Sequence, residues 1–435
     1  MRQQVARSLC CAACGAVVPV SQPLSWRCPN ARGGDRHHVL LAQFEESGGD
    51  FVPDNSPNPF VAFRKLLVWD AFAEALGIGD AQRREFIESV DQRVAQVAGT
   101  GFVFTPLARD EALSDALGFT TGGVWLKNET GNVAGSHKAR HLFTELLHLL
   151  VAEERGVAGF HGERPELAIA SCGNAAIAAS TLAAAVQWPI RVFVPGGADP
   201  AVSAQLHALG AIVETCPRRE EDPPGDPCVL RFREHVEAGA IPFGVQGPEN
   251  AWCLDGGRII GFEMLHQLGN TRIDQFVVQA GGGAFAGGIG DALVMSGHTD
   301  SALVAVQTEG CAPLARAWKM AGESGGTLHA GSRWAQCMWP WETEPHSLAD
   351  GILDDETYDW VSICDAMTKT GGFPIVSPEA DVVGAHQLAH RITEVNVSPT
   401  GSAGLAGVIT GRREHPEVFT PESRVLVIFS GVLRG

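Results

Sequence analysis

The sequence predicts an α/β protein built on two open parallel twisted sheets flanked by helices, with a small N-terminal cysteine-containing ribbon-like unit ahead of them. Three observations predict it. From Phe102 onward, short runs rich in Val and Ile alternate with glycine-bearing loops and with stretches of helical periodicity, the pattern of repeated βαβ units. Those runs are continuously apolar, as strands buried on both faces must be. Ahead of them, Cys10, Cys11, Cys14 and Cys28 sit among turn residues with little periodicity of any kind.

In chain order, residues 1–50 form the cysteine-containing unit, and residues 51–100 a helical lead-in with apolar spacings of three and four over 56–76 and 81–99. Strands are expected at 123–129, 166–171, 190–195, 211–216, 275–280, 302–309 and 424–430, with helices at 175–186, 202–210 and 257–269. The acidic, proline-rich stretch 220–227 is a loop.

A net charge of −18 opposes nucleic-acid binding. No run reaches the roughly 20 apolar residues a membrane span needs, so neither partner is expected. Arg2 and Arg7 ahead of an apolar run faintly resemble a secretory signal, but the cysteines inside that run argue against one. Eleven cysteines, an odd number scattered over a large chain, point to reduced thiols and a cytoplasmic location.

Lys138 opens an apolar helical run, where the backbone dipole disfavours an ammonium. In open α/β sheets ligands bind beyond the carboxyl ends of strands, which singles out three loops. The first carries Ser171, Gly173 and Asn174 and is either an anion site or a plain N-cap with a turn glycine. The second carries Gly281, Gly282 and Gly283 ahead of a helix, with Gly287 and Gly288 close behind; it lacks the Lys-Ser/Thr of a P-loop, and Ala286 breaks the dinucleotide fingerprint. It reads as a phosphate loop or as a tight turn. The third ends a strand on Ser430-Gly431. An amine, an anion-holding loop, a phosphate loop and a hydroxyl together are what a pyridoxal phosphate site requires.

The run LKNETGNVAGSHKAR around Lys138 resembles the lysine signature of fold-type II pyridoxal phosphate enzymes, the tryptophan synthase β-like superfamily, and is most similar to that of threonine synthases. SCGNAAIAAS, GGGAFAGG, the TPL at Thr105 and the IFSG ending at Gly431 follow the same family pattern in order. The resemblance implies that Lys138 is the Schiff-base lysine and that Asn174 bonds the cofactor's phenolic oxygen. It gives the phosphate to Gly281, Gly282, Gly283 and Ala284, the pyridine nitrogen to Ser430, and the substrate carboxylate to Ser171 and nearby backbone, Gly173 included; Arg140 is a further substrate candidate, and His137, standing where the family has an aromatic, either reaches the substrate or fills that aromatic's packing space. It further implies a large domain of residues 101–135 and 241–435 with a small one of 136–240, a homodimer and, in a zinc-ribbon-like unit over 1–50, a structural zinc on Cys11, Cys14 and Cys28, with His38, His37 or Cys10 as fourth ligand; a metal-free hairpin is the alternative.

The chain departs from the pattern at Ala134, His137 and Ala139, and has Ser where threonine synthases tend to have Thr before the final Gly. The expected activity is a threonine-synthase-like β/γ-elimination or replacement on an O-phosphorylated amino acid, with Arg140 and Lys127 receiving the leaving phosphate. The alternative, favoured by Ser430, is a β-lyase, serine/threonine dehydratase or β-replacing synthase. A nucleotide-binding protein and a catalytically inactive scaffold are the rivals from other classes.

Overall fold

The computed structural model describes residues 2–32, 35–160, 163–223 and 225–434. β1 (Arg2–Cys11), β2 (Val17–Pro19) and β3 (Leu40–Asp50) form an antiparallel ribbon in the order β2-β1-β3. After the helical lead-in, the chain passes through β4 (Leu107–Asp110) and β5 (Gly123–Asn128). It then leaves to build a second sheet from β6 (Leu167–Ala170), β7 (Ile190–Val194), β8 (Ile212–Thr215) and β9 (Ile241–Pro242). It returns through β10 (Gln275–Gln279), β11 (Ala302–Thr308), β12 (Phe373–Ser377) and β13 (Arg424–Phe429).

The large sheet has the order β12-β11-β10-β13-β5-β4 and the small one β8-β7-β6-β9. Every pairing in both is parallel except β4 with β5, which is antiparallel and departs from the all-parallel expectation. An antiparallel strand is tolerated at this edge because the short helix Glu111–Ala116 is connection enough between β4 and β5.

Alternation along the central strands feeds two separate cores. Phe276 and Val278 of β10 join Leu426 and Ile428 of β13 on one face, while Val277, Val425 and Val427 face the other. Both faces are dry, which is why these runs carry no polar alternation. Around the small sheet a third core takes in the lead-in: Phe60 and Phe102 close on Phe143 with ring centroids 4.7 and 4.5 Å away.

Two helices cross closely because Gly257 lies where a Cβ would come within 3.0 Å of the Gly288 Cα, so Gly288 serves helix packing rather than a ligand. Three helices of the large domain, Trp360–Thr370, Glu379–Ile392 and Pro399–Glu414, and the strands β9 and β12 were not among the expected elements. Among the described residues no helix is long and apolar enough to cross a membrane.

Candidate active site

The large sheet delivers two of the three loops to one place, and the small sheet delivers the third. β13 ends on Ser430, which is buried, and its hydroxyl accepts from Nε2 of Gln279 at the end of β10 at 2.9 Å. The Ser430 carbonyl in turn accepts the His137 backbone N–H at 3.0 Å, so the residue before Lys138 is pinned to the end of β13. Beyond it, Val432 N–H donates to the Gly135 carbonyl at 2.9 Å, and Ser136 bridges Gly431. From the small domain, Asn174 opens the helix Asn174–Ala185, and a Cβ on Gly431 would lie 2.7 Å from its Nδ2. Asn174 Oδ1 accepts from Arg434 Nε at 2.8 Å, a partner that no motif in the sequence announced.

Lys138 is the first residue of the helix Lys138–Glu154 and is half-buried. Burial, only partly opposed by Asp354, Cys253 and Asp359, pulls its amine below the ordinary lysine range. The turn that sets it there uses left-handed backbone at Ala134 (φ 54°) and Gly135 (φ 71°), with the Asn132 side chain accepting from Val133 N–H.

Gly281, Gly282 and Gly283 link β10 to the helix Ala284–Met295, and Gly283 takes φ 105°, a conformation that favours glycine. The segment 352–359 lies against this turn. A Cβ would approach Asp354 Oδ2 at Gly281, Tyr358 Cδ2 at 3.2 Å at Gly282 and Thr357 Cγ2 at 3.0 Å at Gly283. Asp359 N–H donates to the Gly282 carbonyl at 2.8 Å, and the Gly282 N–H faces the Asp354 carboxylate. Burial, opposed in part by Lys138, lifts Asp354 to about 6; burial likewise lifts Glu356 to about 6 and Asp359 to about 7. Sequence reasoning passed over this strap, although the acidic run LDDETYD holding the only tyrosine of the chain was its signal.

Ser171 and Gly173 lead into the helix Asn174–Ala185, Ser171 Oγ accepting from Gly173 N–H at 3.4 Å, with nothing within 4 Å of the Gly173 Cβ direction. His137 is buried, stacked on Phe285 at a centroid distance of 4.1 Å, and its Nδ1 faces the Ser430 carbonyl at 3.0 Å. Burial keeps the ring far below the ordinary histidine range and hence neutral, and its Nε2 has no partner.

Arg140 and Lys127 are elsewhere. Both are fully buried in a closed ion network: Arg140 bonds Glu129 at 2.8 and 3.0 Å and Glu263 at 2.7 Å. Lys127 bonds Glu263 at 2.5 Å, Gln267 at 2.8 Å and the Thr105 carbonyl at 2.8 Å. The expected roles of these two cations toward substrate or leaving phosphate are therefore corrected. Glu263, which joins them, lies more than a hundred positions along the chain from either, too far for spacing to show it.

In the ribbon, the ligand atoms of Cys11, Cys14, Cys28 and His38 lie within 4.8 Å of one another, with Cys11 Sγ 3.3 Å from His38 Nδ1 and Cys14 Sγ 3.6 Å from Cys28 Sγ. Zinc holds thiolates at about 2.3 Å and imidazoles at about 2.0 Å in a tetrahedron, which spaces ligands at such distances. Asn30 donates from its backbone and side chain to Cys28 and Cys14 sulfur at 3.4 Å, and His38 Nε2 meets Asp35 Oδ2 at 3.2 Å, the outer-shell support a metal site needs. This donor set fits zinc with His38 as fourth ligand. His37 instead stacks on Trp334, and the Cys10 side chain turns to a backbone carbonyl.

The crevice also fits pyridoxal phosphate on the structure's own terms: a glycine cradle opening a twelve-residue helix, a buried neutral hydroxyl, and an amine held below its usual pKa.

A model of the family described as pyridoxal-phosphate dependent enzymes matches residues 100–431. Similar solved structures include maize serine racemase, 18% identical over 81% of this chain and 93% of that one (TM-score 0.61). The processed form of threonine deaminase isoform 2 from Solanum lycopersicum is 15% identical over 82% and 91% (TM-score 0.60). Diaminopropionate ammonia lyase from Escherichia coli is 15% identical over 80% and 89% (TM-score 0.60). No curated protein sequence matches the chain. At these identities the structural likeness speaks to the fold.

Proposed function

Since the chain belongs to the family of pyridoxal-phosphate dependent enzymes, we propose that it catalyses β-elimination on a small amino acid whose leaving group is water or an amine rather than phosphate. The observation that carries this reading is the charge around the crevice. Lys127 and Arg140 are consumed in the buried network, and the glycine turn is overlain by Asp354 and Asp359, with Asp355 and Glu356 between them in the same strap. The arginines whose charge reaches this strap, Arg233 and Arg316, are paired to Glu249 at 2.8 Å and Glu342 at 2.6 Å. A cofactor phosphate can use the helix N-terminus, but a second phosphate on the substrate would add charge beside this acidic strap; Arg434, which no carboxylate pairs among the described residues, is bonded to Asn174 Oδ1 and the Ala134 carbonyl instead. Structural likeness to a threonine deaminase and an ammonia lyase agrees in reaction class.

The bound cofactor supplies an electron sink that acidifies the substrate α-carbon. The rest is the work of this chain. Lys138 carries the cofactor, and its amine, held below its usual pKa, takes the α-proton. Gly281, Gly282, Gly283 and Ala284 offer backbone N–H groups to the phosphate, Asn174 and Ser430 orient the ring, and Ser171 with Gly173 binds the substrate carboxylate. The neutral His137 offers a bare Nε2 beside the lysine. Zinc in the ribbon has a structural place.

Purified protein supplied with cofactor should show a visible band that borohydride fixes on Lys138 and that Lys138→Ala loses. Serine, threonine or 2,3-diaminopropionate should release ammonia and a 2-oxo acid. Phosphate release from O-phosphohomoserine with no turnover of those three would overturn the reading.

A further inference from the structure

The ribbon is not a remote appendage. Residues 36–41, which follow directly on the metal-binding loop, touch the walls of the crevice at several points. Val39 is buried, and a Cβ on Gly247 would lie 3.1 Å from Val39 Cγ2 and 3.0 Å from Asp359 Cγ, while Gly247 N–H donates to Asp359 Oδ2 at 3.0 Å. Leu41 packs on Cys253, Leu254 and Ala284, so it reaches the helix start at the glycine turn. Arg36 pairs with Glu249 at 3.2 Å, and Glu249 holds Arg233, whose charge faces Tyr358. From the other side of the metal loop, the Trp26 carbonyl accepts Ala251 N–H at 2.9 Å, and its ring meets Trp252 edge-on at 5.5 Å. Cys28 and Cys11 share a core with Ala251.

All these contacts converge on loop 247–253 and on Asp359, and these flank Lys138: Cys253 and Asp359 both act on its amine, and the Cys253 carbonyl holds His141 Nδ1 at 2.7 Å. Segments 11–14, 26–32 and 35–41 have little regular structure of their own beyond the strand ends. A four-coordinate metal would tie them together where a core alone is thin.

We propose that a zinc ion held by Cys11, Cys14, Cys28 and His38 is a positioning element for the catalytic crevice, fixing loop 247–253 and Asp359 against Lys138 through Trp26, Arg36, Val39 and Leu41. The proposal rests on the reading of Lys138 as the cofactor lysine. The metal takes no part in the reaction; it sets how well the walls are placed before cofactor and substrate arrive.

The test uses the full-length chain loaded with zinc, the same chain stripped by a chelator, and the stripped chain refilled with zinc. Stripping should weaken pyridoxal phosphate binding by about tenfold, the loss expected when a wall shifts by a fraction of an ångström. It should also change the visible circular dichroism of the bound cofactor and raise amide exchange across 247–253, with all three restored by zinc. His38→Cys keeps four donors and should stay near the wild type, whereas His38→Ala should behave as stripped. Val39→Ala leaves every ligand in place, so it should retain one zinc yet alter the visible dichroism, which a purely local stabilising role would leave untouched. Unchanged cofactor affinity, dichroism and exchange after complete stripping would overturn the proposal, as would a protein that takes up no zinc. If the zinc-loaded chain binds no cofactor while stripping still loosens 247–253, the catalytic reading is what falls and the link from ribbon to loop stands.

Discussion

At the scale of single residues, the burial of Arg140 decides its role. With its guanidinium shared between Glu129 and Glu263 at full burial, removing it leaves Glu129 with no cation and Glu263 with Lys127 alone, so Arg140→Ala should cost about 3–5 kcal/mol in denaturant unfolding. A substrate-binding arginine would show a raised KM in a stable protein instead. Asp354 behaves differently. Its carboxyl, lifted to about 6 by burial, shares the Gly282 N–H that a phosphate would use, with Lys138 drawing it down and Asp355 and Asp226 pushing it up. As pH falls through about 6 the carboxyl turns neutral and its repulsion of a phosphate fades, so cofactor binding should tighten toward that pH. Asp354→Asn should bind about tenfold more tightly near pH 8 and flatten the pH profile, as titration of the visible band with cofactor would show. The lysine, the glycines and the metal ligands were legible because their chemistry needs particular residue types at short spacing. Arg434 on Asn174 and Glu263 on Lys127 were not, since each contact joins residues more than a hundred positions apart.

Among elements, the helix Lys138–Glu154 carries a cost along its inner face. Glu145 is fully buried and neither carboxylate oxygen has a partner of ordinary geometry, so burial pushes its pKa well up, opposed only by the nearby Gly244 N–H. A folded-state pKa above the unfolded one means that stability is greatest below the unfolded value and is lost as pH rises. Glu145→Met should therefore raise stability near pH 7.5 by about 1–3 kcal/mol, the gain shrinking toward pH 4, which thermal melts at the two pH values would show. The glycine turn is more exacting. Gly283 at φ 105° lies against Thr357 and Ile363, so Gly283→Ala should both strain the backbone and displace the strap, lowering cofactor affinity in an absorbance titration. Elements with a strong local signature, such as the Val-rich β10 and β13, could be read from composition, whereas β9, with two residues, and β12, containing Pro374, carry too little pattern. The strap at 352–359 was passed over for another reason: an acidic run normally marks a solvated loop, and its one tyrosine is too slight a signal to place it on the glycines, where the fold presses it.

At the scale of the whole molecule, the fold class could be read because alternation of strand and helix dictates parallel sheets, but strand order could not, since hydrophobic runs buried on both faces are interchangeable. The order has its own implication for how the protein is made. β13 sits between β10 and β5, so it is the sole bridge joining the two halves of the six-stranded sheet. A chain stopped before Arg424 should bind a hydrophobic dye and lose its near-ultraviolet dichroism. During synthesis the small sheet, complete by Pro242, can form while the ribosome is still translating the remainder. The large one must wait, its inner edges unpaired, until a strand encoded some three hundred codons after β5 emerges to close it. Such a nascent chain needs protection from self-association for most of its translation, and its yield in cells should track chaperone supply more closely than its final stability does.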